Sequence, residues 1–318
     1  MNKVCLILSI YSFLISSSCA DRSNEIVDPP GDNSSFTNLS GSLEGSLELK
    51  NSPFRVVNNI QIETANSLTI EAGVRLFFSD SANFVVNGML NAVGNPNNFI
   101  LFTAFNDKWK GIRILNSTQQ SVFRFCIVEK VKITSEDSLE YGALEVKESS
   151  AIIRNNIFRD NRTVNGGGLA LQSDSAIATN NIFINNLAEV FGGAIVAVES
   201  TAKIYNNTIY KNISFNHGGG LVIFDPVNMD VQNNIFFQNS GSTGDPRISF
   251  VSGNSSDYSE NCNFLAFGTM DPRFINDQNL HLQTGSPCID NGNPDAAFND
   301  ANGTRNDQGA YGGPYGNW

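Results

Sequence analysis

The chain has 318 residues, 43 of them asparagine, and 31 acidic against 20 basic side chains leave a net charge of −11. A hydrophobic share of 41% is too high for a disordered chain, 27 glycines are too few for collagen, and five cysteines are too few for a disulfide scaffold. The acidic balance lacks the clustered Lys and Arg that phosphate backbones require, so nucleic acid is not an expected partner.

Met1-Asn2-Lys3 carries one positive charge and is followed by a largely apolar run of twelve residues, Val4 to Ile15. That run is too short to span a bilayer and has the length of a signal-peptide core, so 1–18 reads as a signal peptide. Ser16, Ser17, Ser18 and then Cys19 follow. This junction resembles the lipobox of bacterial lipoproteins, although Ser16 stands where those proteins carry Leu. The resemblance implies lipidation at Cys19 and an outer-membrane or cell-surface location; the alternative is ordinary signal cleavage and secretion. Residues 19–46 are rich in Asp, Ser, Asn, Gly and Pro and read as a lipidated Cys with a flexible tether. The lipid is then the only membrane attachment expected.

From about residue 47 the pattern becomes strand-like. Residues 66–105 alternate, with turn signals at Gly73, Gly88 and Gly94, and predict two or three coils of stacked strands; Trp109 begins another. A repeat follows. Asparagine pairs stand at 155/156, 180/181, 206/207 and 233/234, at spacings of 25, 26 and 27. Each opens one phrase, NNIFRDN, NNIFINN, NNTIYKN or NNIFFQN, closing on Asn161, Asn186, Asn212 or Asn239. Glycine clusters at 166–168, 192–193 and 218–220 keep the same phase. Alternating residues predict an inward set: Leu169/Leu171, Ile195/Ala197, Leu221/Ile223, Ala151/Ile153, Ala176/Ala178, Ala202/Ile204 and Met229/Val231. Short in-phase strands every ~25 residues predict a solenoid, and a parallel β-helix fits best. Like side chains then stack at ~4.8 Å. The twelve asparagines Asn155, Asn156, Asn161, Asn180, Asn181, Asn186, Asn206, Asn207, Asn212, Asn233, Asn234 and Asn239 are expected to form structural ladders, with turn residues in the left-handed region. Cys126, in FRFCIV, takes the place of a second ladder asparagine and reads as a buried thiol.

The Phe-x-x-Asn units and Gly192-Gly193-Ala194-Ile195 resemble the repeats of polymorphic outer-membrane proteins, which are bacterial surface adhesins. The wider phrase LTIEAGVRLFF…FVVNGML…WKGIRI…LHLQTGSPCIDNGNPDAAFNDANGTRNDQGAYGGP is similar to secreted bacterial right-handed parallel β-helix proteins. The resemblance covers most of the chain from residue 47 and implies an all-β solenoid of about seven to ten coils. The β-helix is expected over 47–285, the N-terminal end covered near 47–65, and 286–318 as a C-terminal cap. The fold is shared with pectate lyases and polygalacturonases, but fold alone does not carry activity across.

Catalytic signals are weak. The column Asp160, Asn185, Lys211, Gln238 holds one acid and one amine rather than a carboxylate cluster. Asn216-His217-Gly218 only approaches the Gly-His-Gly phrase of polygalacturonases, so His217 reads as a loop residue and His281 as a strand residue of the last coil. No partnered nucleophile is evident, and catalytic residues stay unassigned. Asp290, Asp295, Asp300, Asn302 and Asp307 crowd the tail. Asp300, Asn302 and Asp307 are the candidate Ca²⁺ ligands, against a reading of these acids as turn formers. Cys262 and Cys288 lie 26 residues apart, one coil, and are a candidate disulfide in an exported protein. The functional expectation is a lipid-anchored, non-enzymatic surface protein, monomeric by default. It would meet carbohydrate or a surface protein, with Phe191, Tyr210 and Phe215 as candidate stacking aromatics. The alternative is a lyase or hydrolase of acidic polysaccharide.

Overall fold

The structure, a computed structural model, describes residues 35–135 and 141–318; the expected signal peptide 1–18 and Cys19 lie outside the described residues. From Thr37 the chain winds into a right-handed parallel β-helix of about eight turns. Three strand columns build it. The first, of nine strands, runs from Gly45–Leu47 to Tyr258–Asn261 and contains the strand before each asparagine pair. The second runs from Arg75–Phe78 to Phe264–Leu265 and contains the strand after each pair. The third runs from Phe84–Val86 to Ile248–Ser252. Four short strands, from Arg162–Asn165 to Ser240–Thr243, add a ladder between the second and third columns.

Register follows from the alternation. Leu169 lies beside Ile195 and Ile195 beside Leu221, so each inward residue meets its equivalent one coil away. Every member of the predicted inward set is buried in one continuous core. The Phe158 and Phe183 rings stack at 4.9 Å, and Ile209 and Phe236 continue the pile. Burying such side chains stabilises by about 1.5–3 kcal/mol each, which is where a solenoid of short strands finds its stability. Gly166, Gly192 and Gly218 make the corner before the third column at φ of +63°, +65° and +62°, where a Cβ would be strained.

The asparagines divide into three kinds. Asn156, Asn181, Asn207 and Asn234 point inward and are fully buried. Each Nδ2 donates to the Oδ1 of the next coil at 2.9–3.0 Å, and each Oδ1 also accepts a backbone N–H. Asn263 ends this ladder, accepting from Asn234 at 2.9 Å, and Cys126 heads it through its backbone N–H alone. Asn161, Asn186, Asn212 and Asn239 form a second ladder of the same design. The first residue of each pair behaves differently, and the expectation of a third ladder is corrected. Asn155, Asn180, Asn206 and Asn233 adopt φ of +51° to +62°, which turns their side chains outward. There they hold the C-terminal segment. Asn155 donates to the Tyr315 carbonyl, Asn180 to Ala310 and Gly312, and Asn206 to Asp307, while Asn233 accepts from the Asn293 N–H.

Two boundaries also change. The tether ends earlier than residue 46, because Thr37–Ser42 and Gly45–Leu47 already pair with the next coil. The coils stop at Leu265 rather than 285. Beyond it the chain turns back and lies along the side of the helix as a strap, not as an end cap. The reason is an outward apolar stripe, Leu101, Ile127, Ile157 and Ile182, which the strap covers with Leu280, Ala310, Tyr311 and Trp318.

Candidate functional site

The strap and the second column enclose a groove. Its floor is Ile157, Ile182 and Ile184, its far wall Leu280 and Tyr311, and it holds a cavity of about 370 Å³. Asp160, Asn185 and Lys211 enter it from three successive coils. All three stand at the left-handed turn before the closing asparagine, at φ of +54°, +55° and +56°, which directs them to the outside. The strap contributes Asp277. Its carboxylate accepts from Lys211 Nζ at 2.6 Å and from the Tyr210 hydroxyl at 2.6 Å. Asp160 also lines an adjoining cavity of about 300 Å³ with Lys130, Lys132, Arg162 and Asp107.

Electrostatics divide the groups by environment. Burial pushes the Asp160 carboxyl above its ordinary range, with Arg159 and a bond from Asn185 opposing. Asp277 is held below the usual range by Lys211 and Tyr210, and the same contact raises the Lys211 ammonium. Lys211 is therefore a firmly charged cation, unsuited to act as a neutral base. Across both cavities five cations, Arg159, Lys130, Lys132, Arg162 and Lys211, face three carboxylates. With the Glu129 and Glu189 partners of Arg159 and Arg162 the carboxylates equal the cations, so the groove is locally balanced in a chain of net charge −11. Arg159 and Arg162 are steadied by Glu129 and Glu189 at 2.7 and 3.0 Å.

A match to known sequence patterns adds the lineage. The family described as right-handed β-helix region matches residues 94–264, more than half of the chain. The chain belongs to the right-handed β-helix family. Among curated proteins and among solved structures nothing matches. The matched region of this β-helix closes at Phe264, within the last strand, so the strap and its Asp277 lie outside it.

Of the stacking aromatics expected from sequence, Tyr210 is buried and serves the groove through its hydroxyl. Phe191 packs edge-on against Phe224, and Phe215 remains 54% exposed beside the Arg162 guanidinium. His281 is in no strand and stacks on Tyr311 in the strap, which corrects its placement in a last coil. His217 is not a free loop residue; it ends the strand Ile213–His217 and bonds two hydroxyls.

The candidate cation ligands are partly regrouped. Carboxylate oxygens of Asp290, Asp300 and Asp307 lie within 4.8 Å of one another. Asn302 takes no part, since its Oδ1 accepts from the Thr304 N–H and hydroxyl within its own turn, and Asp295 caps the short helix Ala296–Phe298. Burial together with Asp300 and Asp290 pushes the Asp307 carboxyl up to about 6. A carboxyl raised in this way holds its proton more tightly folded than unfolded. Its stabilising share is complete below about 4 and is lost as pH rises through 6. Asp307→Asn should therefore gain about 1–2 kcal/mol on wild type between pH 4 and pH 7. Paired melting curves at the two pH values check this; parallel behaviour would refute it. A Ca²⁺ response at pH 7 in wild type alone would assign the carboxylates to a cation.

The expected Cys262–Cys288 bond is also corrected: both thiols are free. Their one-coil spacing loses its meaning because no coil follows Leu265. Cys288 is packed against Ile235 and Phe264, and burial pushes its thiol up to about 12. Gln308 ties the two backbones instead, donating from Nε2 to the Cys262 carbonyl and from N–H to that of Cys288.

Proposed function

We propose that this β-helix is an exported, lipid-anchored surface protein that binds an acidic glycan in the groove between its second column and the strap. The observation that carries the reading is the concentration of five cations around a groove of an acidic chain, with Asp160, Asn185 and Lys211 stacked in phase beside an apolar floor. Sugar rings present alternating apolar and hydroxyl faces, and a site of this size with a few convergent polar groups suits such a ligand. Carboxylates on the glycan would meet Lys130, Lys132 and Arg162, where charge-assisted hydrogen bonds are strongest. Phe215 extends the surface at that end. Adhesion through glycan contact follows from anchoring at Cys19; contact with a surface protein is the other expected partnership.

The test is calorimetry of the mature protein with uronate-containing oligosaccharides. Lys211→Met with Lys130→Met should weaken binding at least tenfold and reduce its salt dependence, with the melting temperature held. Unchanged affinity in the double variant would remove the groove from consideration.

One observation favours a second reading as a glycoside hydrolase. Burial raises the Asp160 carboxyl above its ordinary range while Lys211 and Tyr210 hold Asp277 below it, and two carboxyls set apart in this direction within one groove suit the roles of acid and base. Release of reducing ends by wild type, absent in Asp160→Asn, would establish it.

A further inference from the structure

At the C-terminal end of the solenoid two columns change character together. One passes through Asn165, Phe191, His217 and Thr243. The other passes through Ala170, Val196, Val222 and Ser249. In the earlier coils the two meet as an apolar cluster that includes Val196, Val222 and Phe191. In the last coil they meet as hydroxyls and an imidazole. His217 Nε2 lies 2.7 Å from Ser249 Oγ, and His217 Nδ1 lies 2.8 Å from Thr243 Oγ1.

One arrangement of protons satisfies all of these partners. The single Thr243 hydroxyl proton is given to the Asn216 carbonyl at 3.1 Å. In that arrangement its oxygen accepts from His217 Nδ1–H, which is one of the two tautomers the contacts allow. Nε2 is left with a lone pair, which accepts from Ser249 Oγ–H. A hydroxyl, a base within hydrogen-bond reach and a third group that orients the base are the parts of an activated nucleophile. Packing fixes the imidazole further. The Phe191 ring meets it edge-on, and Gly244 approaches so closely that a Cβ would stand 2.5 Å from Nε2 and 2.7 Å from Oγ. Gly244 is exposed, at φ +70°, so the residue closest over the pair on that side has no side chain.

We propose that Ser249 is the nucleophile of an acyl-transfer site, with His217 as its base and Thr243 as a positioning residue, acting on short O-acyl esters. Ser249 is 5% exposed, which restricts the acyl group to a small one such as acetyl. In the first step Ser249 Oγ bonds to the ester carbonyl carbon as its proton passes to Nε2. The carbon–alkoxide bond then breaks, and the alkoxide leaves with that proton as an alcohol. Water, deprotonated by Nε2, attacks the acyl-serine; the Oγ–carbon bond breaks, the acid departs, and the proton returns to Oγ. No oxidant or cofactor is needed.

The test uses the mature protein with a small fluorophosphonate and with p-nitrophenyl acetate. Peptide mapping should place the phosphonyl group on Ser249, and Ser249→Ala should lose it. His217→Gln should label at least tenfold more slowly. Thr243→Val should slow both reactions while Thr243→Ser restores them, a distinction that a role in stability alone would not produce. Melting curves keep each variant comparable. Wild-type protein that is folded and unlabelled at Ser249, or labelling that His217→Gln leaves unchanged, would overturn the proposal. Neither result bears on the groove, whose residues are not altered.

Discussion

Truncation after Leu265 is expected to lower the melting temperature of the protein by more than ~10 °C and to make it aggregate. The strap covers Leu101, Ile127, Ile157 and Ile182 on the outside of the second column, and its Gly309 and Cys288 close over Ile235. Uncovering these side chains costs about 1.5 kcal/mol or more apiece, and the sum is of order 5 kcal/mol after allowance for a compact unfolded state. For a domain of this size that corresponds to a shift of about 10–20 °C. The outward asparagines Asn155, Asn180 and Asn206 would lose their carbonyl partners as well. The exposed stripe would be a contiguous apolar patch beside stacked strands, a recognised cause of association. Light scattering and thermal melts of the 19–265 and 19–318 chains decide the matter. Equal solubility and equal melting would show that the strap merely rests on the surface.

Asn207→Ala should cost about 3–5 kcal/mol, against about 1 kcal/mol for Asn155→Gly, although both remove an asparagine from the same repeat. Asn207 is fully buried at the middle of its ladder. Its Oδ1 accepts from the Asn181 N–H and Nδ2, and its Nδ2 reaches the Ala178 and Tyr205 carbonyls and Asn234 Oδ1. Alanine would strand donors and acceptors on both neighbouring coils where water does not reach. Asn155 gives one bond to the Tyr315 carbonyl, and glycine accepts its left-handed φ without strain. Denaturant melts of the two variants check the contrast. Similar losses would mean that the inward ladder is no more than a set of turns.

These two residues also show how far the sequence could be read. The phase of the repeat was visible, and with it the inward aliphatics and the stacking of like on like. Direction at the asparagine pair was not. Asn155 and Asn156 are chemically identical neighbours, and only the left-handed φ of the first sends one out and the other in. The groove was half legible: Asp160, Asn185 and Lys211 were recognisable as one column, but they acquire meaning only with Asp277. That residue comes from a segment without repeats, which docks 66 residues away from Lys211 in sequence. The His217–Ser249 contact was hidden for a related reason. The two are 32 residues apart, out of phase with a coil of about 26, because they belong to different columns.

The strap changes how such a chain must mature. A solenoid couples each coil only to its neighbours, so folding can begin anywhere and spread one rung at a time as the chain emerges. The strap instead links the last residues to rungs laid down much earlier, Asn155 to Tyr315 across 160 positions and Asn206 to Asp307 across 101. Contacts of that span wait for the whole chain and are slow to form. A growing polypeptide therefore carries its outward apolar stripe bare until residues 280–318 have been made. Covering of the stripe is therefore a late event, set by the segment that follows the coils rather than by the coils themselves.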